Sequence, residues 1–171
     1  MMTFDKDRYI TEMKSMVDKA IARLKTERPR LKIFSVSIWT DPNSGFSSIN
    51  FDSKANSDKI VAKSNKYIQK KFTEYVKEGD LEMAELFKHN IERNFNPVDF
   101  KLKNFETVKH KKIGRNWEEK SKGQCWKLLK PALTEVGKYA FKKVRLLTLE
   151  NHFELAVNSE RDWYDKTWRL K

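Results

Sequence analysis

The first half of the chain alternates between helical and strand spacing of its apolar residues. Eight apolar side chains between Tyr9 and Leu24 recur three or four positions apart, which predicts an amphipathic helix from about Asp5 to Glu27, ended before Pro29. The stretches LKIFSVSIWT (31–40) and FSSINF (46–51) instead alternate apolar and polar residues, and the turn-forming DPNSG separates them. We therefore expect a helix followed by a β-hairpin.

The middle of the chain returns to helical spacing. Apolar residues between Ile60 and Val76 predict a second helix that ends at Gly79. Asp80 is expected to cap a third, short helix that stops at NFNP (94–97). The stretch VDFKLKNFETV (98–108) fits either a third strand or an extended loop.

The last third predicts one more helix and a second hairpin. Apolar spacing between Trp126 and Ala140 is helical, and Pro131 is expected to kink or restart that helix. The stretches VRLLTLE and HFELAVN, on either side of the polar Asn151, predict a C-terminal hairpin. Hairpins without βαβ crossovers indicate an antiparallel sheet with helices on one face. The predicted fold is therefore a single α+β domain over residues 1–171.

Cysteine content and the lack of long apolar segments indicate the cellular compartment in which the protein is expected. Cys125 is the only cysteine, which excludes an intramolecular disulfide and fits a reducing compartment. The N-terminal MMTFDKDRYITEMK lacks the apolar core of a signal peptide, and no apolar run approaches the roughly 18 residues that cross a membrane. These features predict a cytoplasmic protein.

Motifs for catalysis, metal or cofactor binding are weak. The chain has no GxGxxG, no phosphate loop and no Cys-x-x-Cys. Helical spacing would align Glu85, His89 and Glu92, yet a solvated polar face is the favoured interpretation. We interpret Cys125 as a buried structural residue, and the pairs Glu118–Glu119 and Asp162–Asp165 as surface carboxylates. A non-enzymatic protein without cofactor or metal is expected.

Charge is the strongest signal. The net charge is +12, and residues 101–143 hold thirteen basic and four acidic side chains, a balance of +9. Most of the candidate cations lie in KHKKIGRNWEEKSKGQCWK (109–127). Such asymmetry indicates a polyanionic or acidic partner. The candidate partner-binding residues are Lys109, Lys111, Lys112, Arg115, Trp117, Lys120 and Lys122.

Three interpretations of this segment remain open: a protein-binding face, a nucleic-acid-binding surface or a solvated surface. Lysines neutralise phosphates and Trp117 offers a stacking platform, but no known nucleic-acid module matches. Lysine outnumbers arginine, which weakens bidentate recognition and favours an acidic protein over nucleic acid. Trp126 lies on the apolar stripe of its helix and is assigned to the core. In the tail, Trp163, Tyr164 and Trp168 fit either a binding surface or an anchor for the C-terminus.

The first part of the chain resembles a known protein family in the order of its elements. These are an amphipathic helix, FSVSIWTD, a polar turn, SSINFDS and a helix that begins with ANSDK. It resembles the small bacterial α+β immunity proteins of polymorphic toxin and contact-dependent growth-inhibition systems. The resemblance implies a single-domain, cytoplasmic, catalytically silent protein that binds one cognate toxin domain and blocks it. Many such proteins are acidic because their nuclease toxins are basic, whereas this chain is basic, which implies a toxin with an acidic surface or a target other than a nuclease. A basic nucleic-acid-binding module is the alternative function.

Overall fold

Residues 4–170, which the computed structural model describes, form a five-stranded sheet with helices packed on it. The predicted α+β class is confirmed. In chain order the elements are α1 (Lys6–Glu27), β1 (Ile33–Asp41), β2 (Phe46–Asp52), α2 (Lys54–Glu78), α3 (Leu81–Leu86), β3 (Leu102–Lys109), α4 (Trp117–Lys120), α5 (Cys125–Val144), β4 (Leu149–Val157) and β5 (Lys166–Arg169).

The strand order in the sheet is β3-β2-β1-β4-β5. Three neighbouring pairs are antiparallel, as expected from hairpins, but β1 and β4 run parallel. The parallel pair follows from the connection, because α4 and α5 lead the chain from the edge strand β3 across the sheet to β4. The sheet is therefore mixed, with antiparallel pairing predominant.

The first face of the sheet carries the main core. Helices α1 and α5 pack side by side on it, as expected for helices on one face. All eight apolar residues of the predicted first helix are buried, and Asp5 caps that helix by accepting from the Arg8 backbone N–H at 3.0 Å. Full burial of a large apolar side chain contributes about 1.5–3 kcal/mol. Fully buried residues beneath the helices include Val36, Ile38, Ile49, Phe51, Phe153 and Leu155.

The second face of the sheet is polar yet also buried. Six of its side chains are small polar groups, an amide or carboxylates, and each is at most 3% exposed: Ser35, Ser37, Ser48, Asn50, Asp52 and Glu154. Residues 91–100 and Tyr164 cover them. Asn94 holds this cover in place, because its backbone N–H donates to Ser57 Oγ at 3.0 Å and its amide donates to Asp52 Oδ2. The polar side chains that alternate along the strands thus face a buried layer and not water.

The predicted C-terminal hairpin is wrong. Helix α5 continues to Val144, and β4 is one strand that runs through Asn151 and pairs with β5. Between the pairs Ile33–Leu149 and Ser35–Glu154, β1 advances two residues and β4 five. This bulge lets polar residues interrupt the strand without a turn, and His152 adopts a left-handed φ of 60° there.

Two further boundaries differ from the prediction. Helix α3 ends at Leu86, well before NFNP, and β3 begins at Leu102, because Pro97–Asp99 form a 3-10 turn capped by Asn96. Helix α5 is a single element that continues through Pro131, so of the two expected outcomes the restart does not occur. Pro131 lies on its exposed side, so water can reach the backbone carbonyl that the proline leaves without a donor.

Candidate protein-binding face

The basic segment is held against the β1–β2 turn by backbone hydrogen bonds. The N–H of His110 donates to Gly45 O and the N–H of Asn116 donates to Asn43 O, both at 2.8 Å. The Asn43 side chain extends this anchor, since its Oδ1 accepts from the Glu118 N–H at 3.0 Å and its amide donates to Glu118 Oε2 at 3.1 Å. The segment is therefore held in place near its start and at its middle.

Two apolar side chains fix the same segment from below. Ile113 is 9% exposed, and its close approach to Gly45 leaves only 3.2 Å between Ile113 Cβ and the place where a Cβ on Gly45 would sit. Trp117 is half-buried and stacks on Phe4 with 5.1 Å between the ring centroids. The ring of Trp117 thus supports the segment and presents only part of its surface to a partner.

The cations of the segment point away from the domain. Lys109, Lys111, Lys112, Arg115, Lys120 and Lys122 are all exposed, and we call this set the basic face. Within residues 4–170, none of the six forms an ion pair. Other cations do pair, such as Arg23 with Glu27 and Glu106. The charge of the basic face is therefore available to a partner.

One acid inside the segment is turned inward. Glu118, expected at the surface, is half-buried, and its Oε1 accepts from Trp126 Nε1 at 2.6 Å while its Oε2 accepts from Asn43. The surface interpretation of Glu118 is wrong because this carboxylate joins α4 to α5 and to the β1–β2 turn. Both of its carboxylate oxygens are directed at donors inside the domain.

A buried hydrogen-bond chain lies directly beneath the basic face. Tyr9 Oη bonds Thr40 Oγ1, Thr40 Oγ1 bonds Ser47 Oγ, Ser47 Oγ bonds His110 Nε2, and His110 Nδ1 bonds Glu12 Oε2, all at 2.7–2.8 Å. Because a carboxylate only accepts, Nδ1–H of His110 donates to Glu12 and Nε2 accepts from Ser47. Burial lowers the pKa of His110, although the Glu12 carboxylate works in the opposite direction. The histidine is thus a neutral link between α1 and the start of the basic face.

The order hydroxyl, imidazole, carboxylate matches that of a nucleophilic triad. Ser47 and His110 are, however, 0% and 2% exposed, so a substrate has no access to the hydroxyl in this conformation. The Ser47 oxygen is also already bonded to Thr40. The arrangement serves as a structural anchor.

The remaining chemical candidates from the sequence are placed differently. His89 and Glu92 lie beyond the end of α3, so the helical alignment with Glu85 does not form, and the described residues contain no cluster of three metal-ligating side chains. Cys125 is buried, and burial raises the pKa of its thiol, as expected for a structural cysteine. Trp126 is buried in the core, as predicted.

The aromatic tail is divided between the core and the surface. Tyr164 is 6% exposed, and Trp168 packs against Gly137 of α5. Trp163 remains 48% exposed, with its ring centroid 6.0 Å from that of Trp39. Two of the three aromatic residues therefore anchor the C-terminus.

Comparisons of the chain with protein-family models, with curated proteins and with solved structures found no match. None of the helices within residues 4–170 combines the length and apolar character that crossing a membrane requires.

Proposed function

We propose that the chain is a non-enzymatic cytoplasmic protein that binds an acidic protein surface through the basic face. The observation that carries this proposal is a set of six exposed cations, none of them in an ion pair with any residue that the structure describes, on a segment held in place by backbone hydrogen bonds. A backbone held in place before binding loses little conformational freedom on docking. Their summed field also steers a partner of opposite sign and raises the association rate.

The shape of the surface supports a macromolecular partner. The cavity lined by Phe4, Lys112, Ile113, Gly114 and Trp117 measures only about 10 Å³. Small-molecule sites are clefts of about 300–1,000 Å³ that enclose most of the ligand. A shallow, charged surface instead suits an extended complementary surface.

Within this class we propose an immunity protein that neutralises a cognate toxin domain by one-to-one docking. The support is the resemblance of FSVSIWTD, SSINFDS and ANSDK to immunity proteins, together with a basic face that suits a toxin with an acidic surface. Binding would cover the active site of the toxin or a surface that the toxin needs.

The test first identifies the protein encoded directly upstream of the gene and takes its C-terminal domain as the candidate toxin. Co-expression of the chain is expected to restore growth to cells that make this domain. Reversing Lys111, Lys112 and Arg115 to Glu is expected to weaken rescue, because the variant removes half of the basic face and adds three repulsive charges. Reversing Lys59, Lys63 and Lys66 on α2 makes the same charge change at an exposed site away from the basic face. Equal loss in both variants would contradict a role for the basic face.

A nucleic-acid-binding module is the alternative. Such a module predicts micromolar or tighter binding of generic DNA or RNA that weakens steeply with salt. Fluorescence anisotropy with labelled single-stranded DNA and RNA separates the two functions. Tight binding that is lost in the variant of Lys111, Lys112 and Arg115, without rescue from a toxin, would replace the protein-binding proposal.

A further inference from the structure

The sheet has a long edge that no other strand of residues 4–170 covers. Strand β3 (Leu102–Lys109) is the outermost strand on its side of the sheet and pairs with β2 alone. The opposite edge is β5, which has four residues against the eight of β3. An exposed strand edge presents backbone N–H and C=O groups with which another polypeptide strand can pair.

The register of β3 shows which of its backbone groups face outward. The N–H of His110 donates to Gly45 O at 2.8 Å, and the pairing with β2 is regular from there to Glu106. Backbone groups alternate between the two sides of a strand, so every second residue from His110 to Glu106 faces β2, whereas Thr107 and Lys109 face away. Both of these residues are exposed. Within residues 4–170, no other strand, loop or side chain bonds their outward groups.

The open part of the edge is short and bounded. On its N-terminal side a bulge shifts the register, Asn104 holds a φ of 46°, and Arg23 Nη1 already donates to Phe105 O at 2.6 Å. Natural proteins use bulges to prevent edge pairing, but this bulge lies before residues 106–109, which keep a regular register. Residues 106–109 are therefore the stretch to which a strand can be added.

The charge around the open edge selects its partner. Lys101, Lys103 and Lys109 are exposed, and within residues 4–170 none of them forms an ion pair. The acid of β3, Glu106, is paired with Arg23 at 2.6 Å. A second copy of the chain would add like charges along the shared edge, whereas an acidic strand would place opposite charges there. Lys109 also belongs to the basic face, so the open edge continues directly into it.

We propose that residues 106–109 bind an extended acidic strand of the protein partner, which joins the sheet beside β3. This inference deepens the proposed function and rests on it for the identity of the partner. The N–H groups of Thr107 and Lys109 donate to carbonyls of the added strand, and their C=O groups accept from its N–H groups. Asp or Glu side chains of that strand pair with Lys103 and Lys109. The basic face then contacts the partner surface next to the strand.

The test is amide hydrogen exchange of the full chain, resolved by residue with NMR, with and without the candidate toxin domain. In the free chain we expect fast exchange at Thr107 and Lys109 and slow exchange at Val108, whose N–H faces β2. Binding is expected to slow exchange at Thr107 and Lys109 by about tenfold or more and to change Val108 little. This alternation identifies strand addition, because a partner that only covers the surface would not select every second amide.

A matched pair of variants tests the same contact through affinity. Thr107→Pro removes an outward N–H, a change that an edge strand accommodates, and Thr107→Val keeps the N–H and the β-branched shape. We expect the proline variant to bind the toxin domain about tenfold more weakly, because the partner carbonyl loses its donor, and the valine variant to bind like wild type. Should urea unfolding show that the proline variant is not folded, hydrogen exchange of the wild-type chain decides the question.

A second probe separates this inference from the proposed function. The peptide ETVEVTE, blocked at both ends, is a minimal acidic strand, and KTVKVTK is its basic counterpart. We expect ETVEVTE to bind the full chain with a dissociation constant of about 1 mM or below and to slow exchange at Thr107 and Lys109. The peptide KTVKVTK is expected to leave both amides unchanged, and equal binding of the two peptides would refute selection by charge.

The outcomes distinguish the two claims. If the toxin domain binds while Thr107 and Lys109 exchange as in the free chain, strand addition is overturned and the proposed function stands. If the toxin domain does not bind, the proposed function fails, and ETVEVTE alone decides on the edge: protection of the two amides supports it, and no binding at about 5 mM overturns it. Protection that appears with rising concentration of the chain alone would assign the edge to a second copy and overturn the acidic partner.

Discussion

Placing an alanine at Gly137 provides a sharp test of how the C-terminal tail is fixed. Gly137 lies inside α5, and a Cβ there would sit 2.2 Å from Cη2 and 2.4 Å from Cζ3 of Trp168. Contacts this short require the indole or its strand β5 to move. In an exposed helix the change would stabilise by about 0.8–1.0 kcal/mol, but overpacking of a filled site costs about 1–3 kcal/mol. We therefore expect Gly137→Ala to lower the free energy of unfolding by about 1 kcal/mol.

Urea unfolding of four proteins measures this effect: wild type, Gly137→Ala, Trp168→Leu and the double variant. Once the indole is removed, the clash disappears and only the helix-propensity gain remains, so Gly137→Ala is expected to stabilise the Trp168→Leu protein by about 0.8 kcal/mol. Stabilisation by Gly137→Ala in the wild-type background would refute the packing of Trp168 on α5. The tail would then be free to serve as a binding surface.

Two further predictions concern the support of the basic face. The pKa of His110 is lowered by burial, so as pH falls below about 6.5 the unfolded chain binds a proton that the folded chain excludes. The stability from this neutral histidine is therefore complete above that pH and declines below it. In urea unfolding measured between pH 5 and 8, His110→Gln is expected to remove this part of the pH dependence of the free energy of unfolding. An equal pH dependence in the variant and the wild type would contradict the assignment. Trp126→Phe keeps the buried ring but removes the donor to Glu118, a charge-assisted bond, so we expect a loss of about 1.5–3 kcal/mol in urea unfolding. Trp163→Phe, at an exposed site, is expected to cost about 0.5 kcal/mol or less, and an equal cost for both would exclude a special role for the Glu118 bond.

Local patterns predicted much of the fold. The stripe from Tyr9 to Leu24, the hairpin around DPNSG and the stop at Gly79 depend on neighbouring residues alone, and all three are confirmed. The C-terminal hairpin was wrong because Asn151 resembles a turn residue, while in the structure it lies at a bulge within β4. Periodicity does not reveal a bulge, since the interruption depends on a strand paired far away in the chain.

The polar face of the sheet was missed for a related reason. Alternating serines such as Ser35 and Ser37 suggest a solvated strand face, but a segment some sixty residues later, around Arg93 and Asn94, covers them. The one available signal was that the polar residues of both strands are mostly small side chains and amides, with neither lysine nor glutamate among them. The charge of the basic face could be predicted from the sequence, whereas its support by Asn43 could be recognised only from the tertiary structure.

The most direct test of the central claim is the rate at which the chain associates with the candidate toxin domain, measured by stopped-flow fluorescence over a range of salt. Steering by the basic face predicts that charge reversal of Lys111, Lys112 and Arg115 slows association about tenfold or more at low salt and flattens the salt dependence. Reversal of Lys59, Lys63 and Lys66 is expected to leave the association rate and its salt dependence nearly unchanged. An association rate and salt slope equal to those of wild type in the first variant would contradict the proposed binding face.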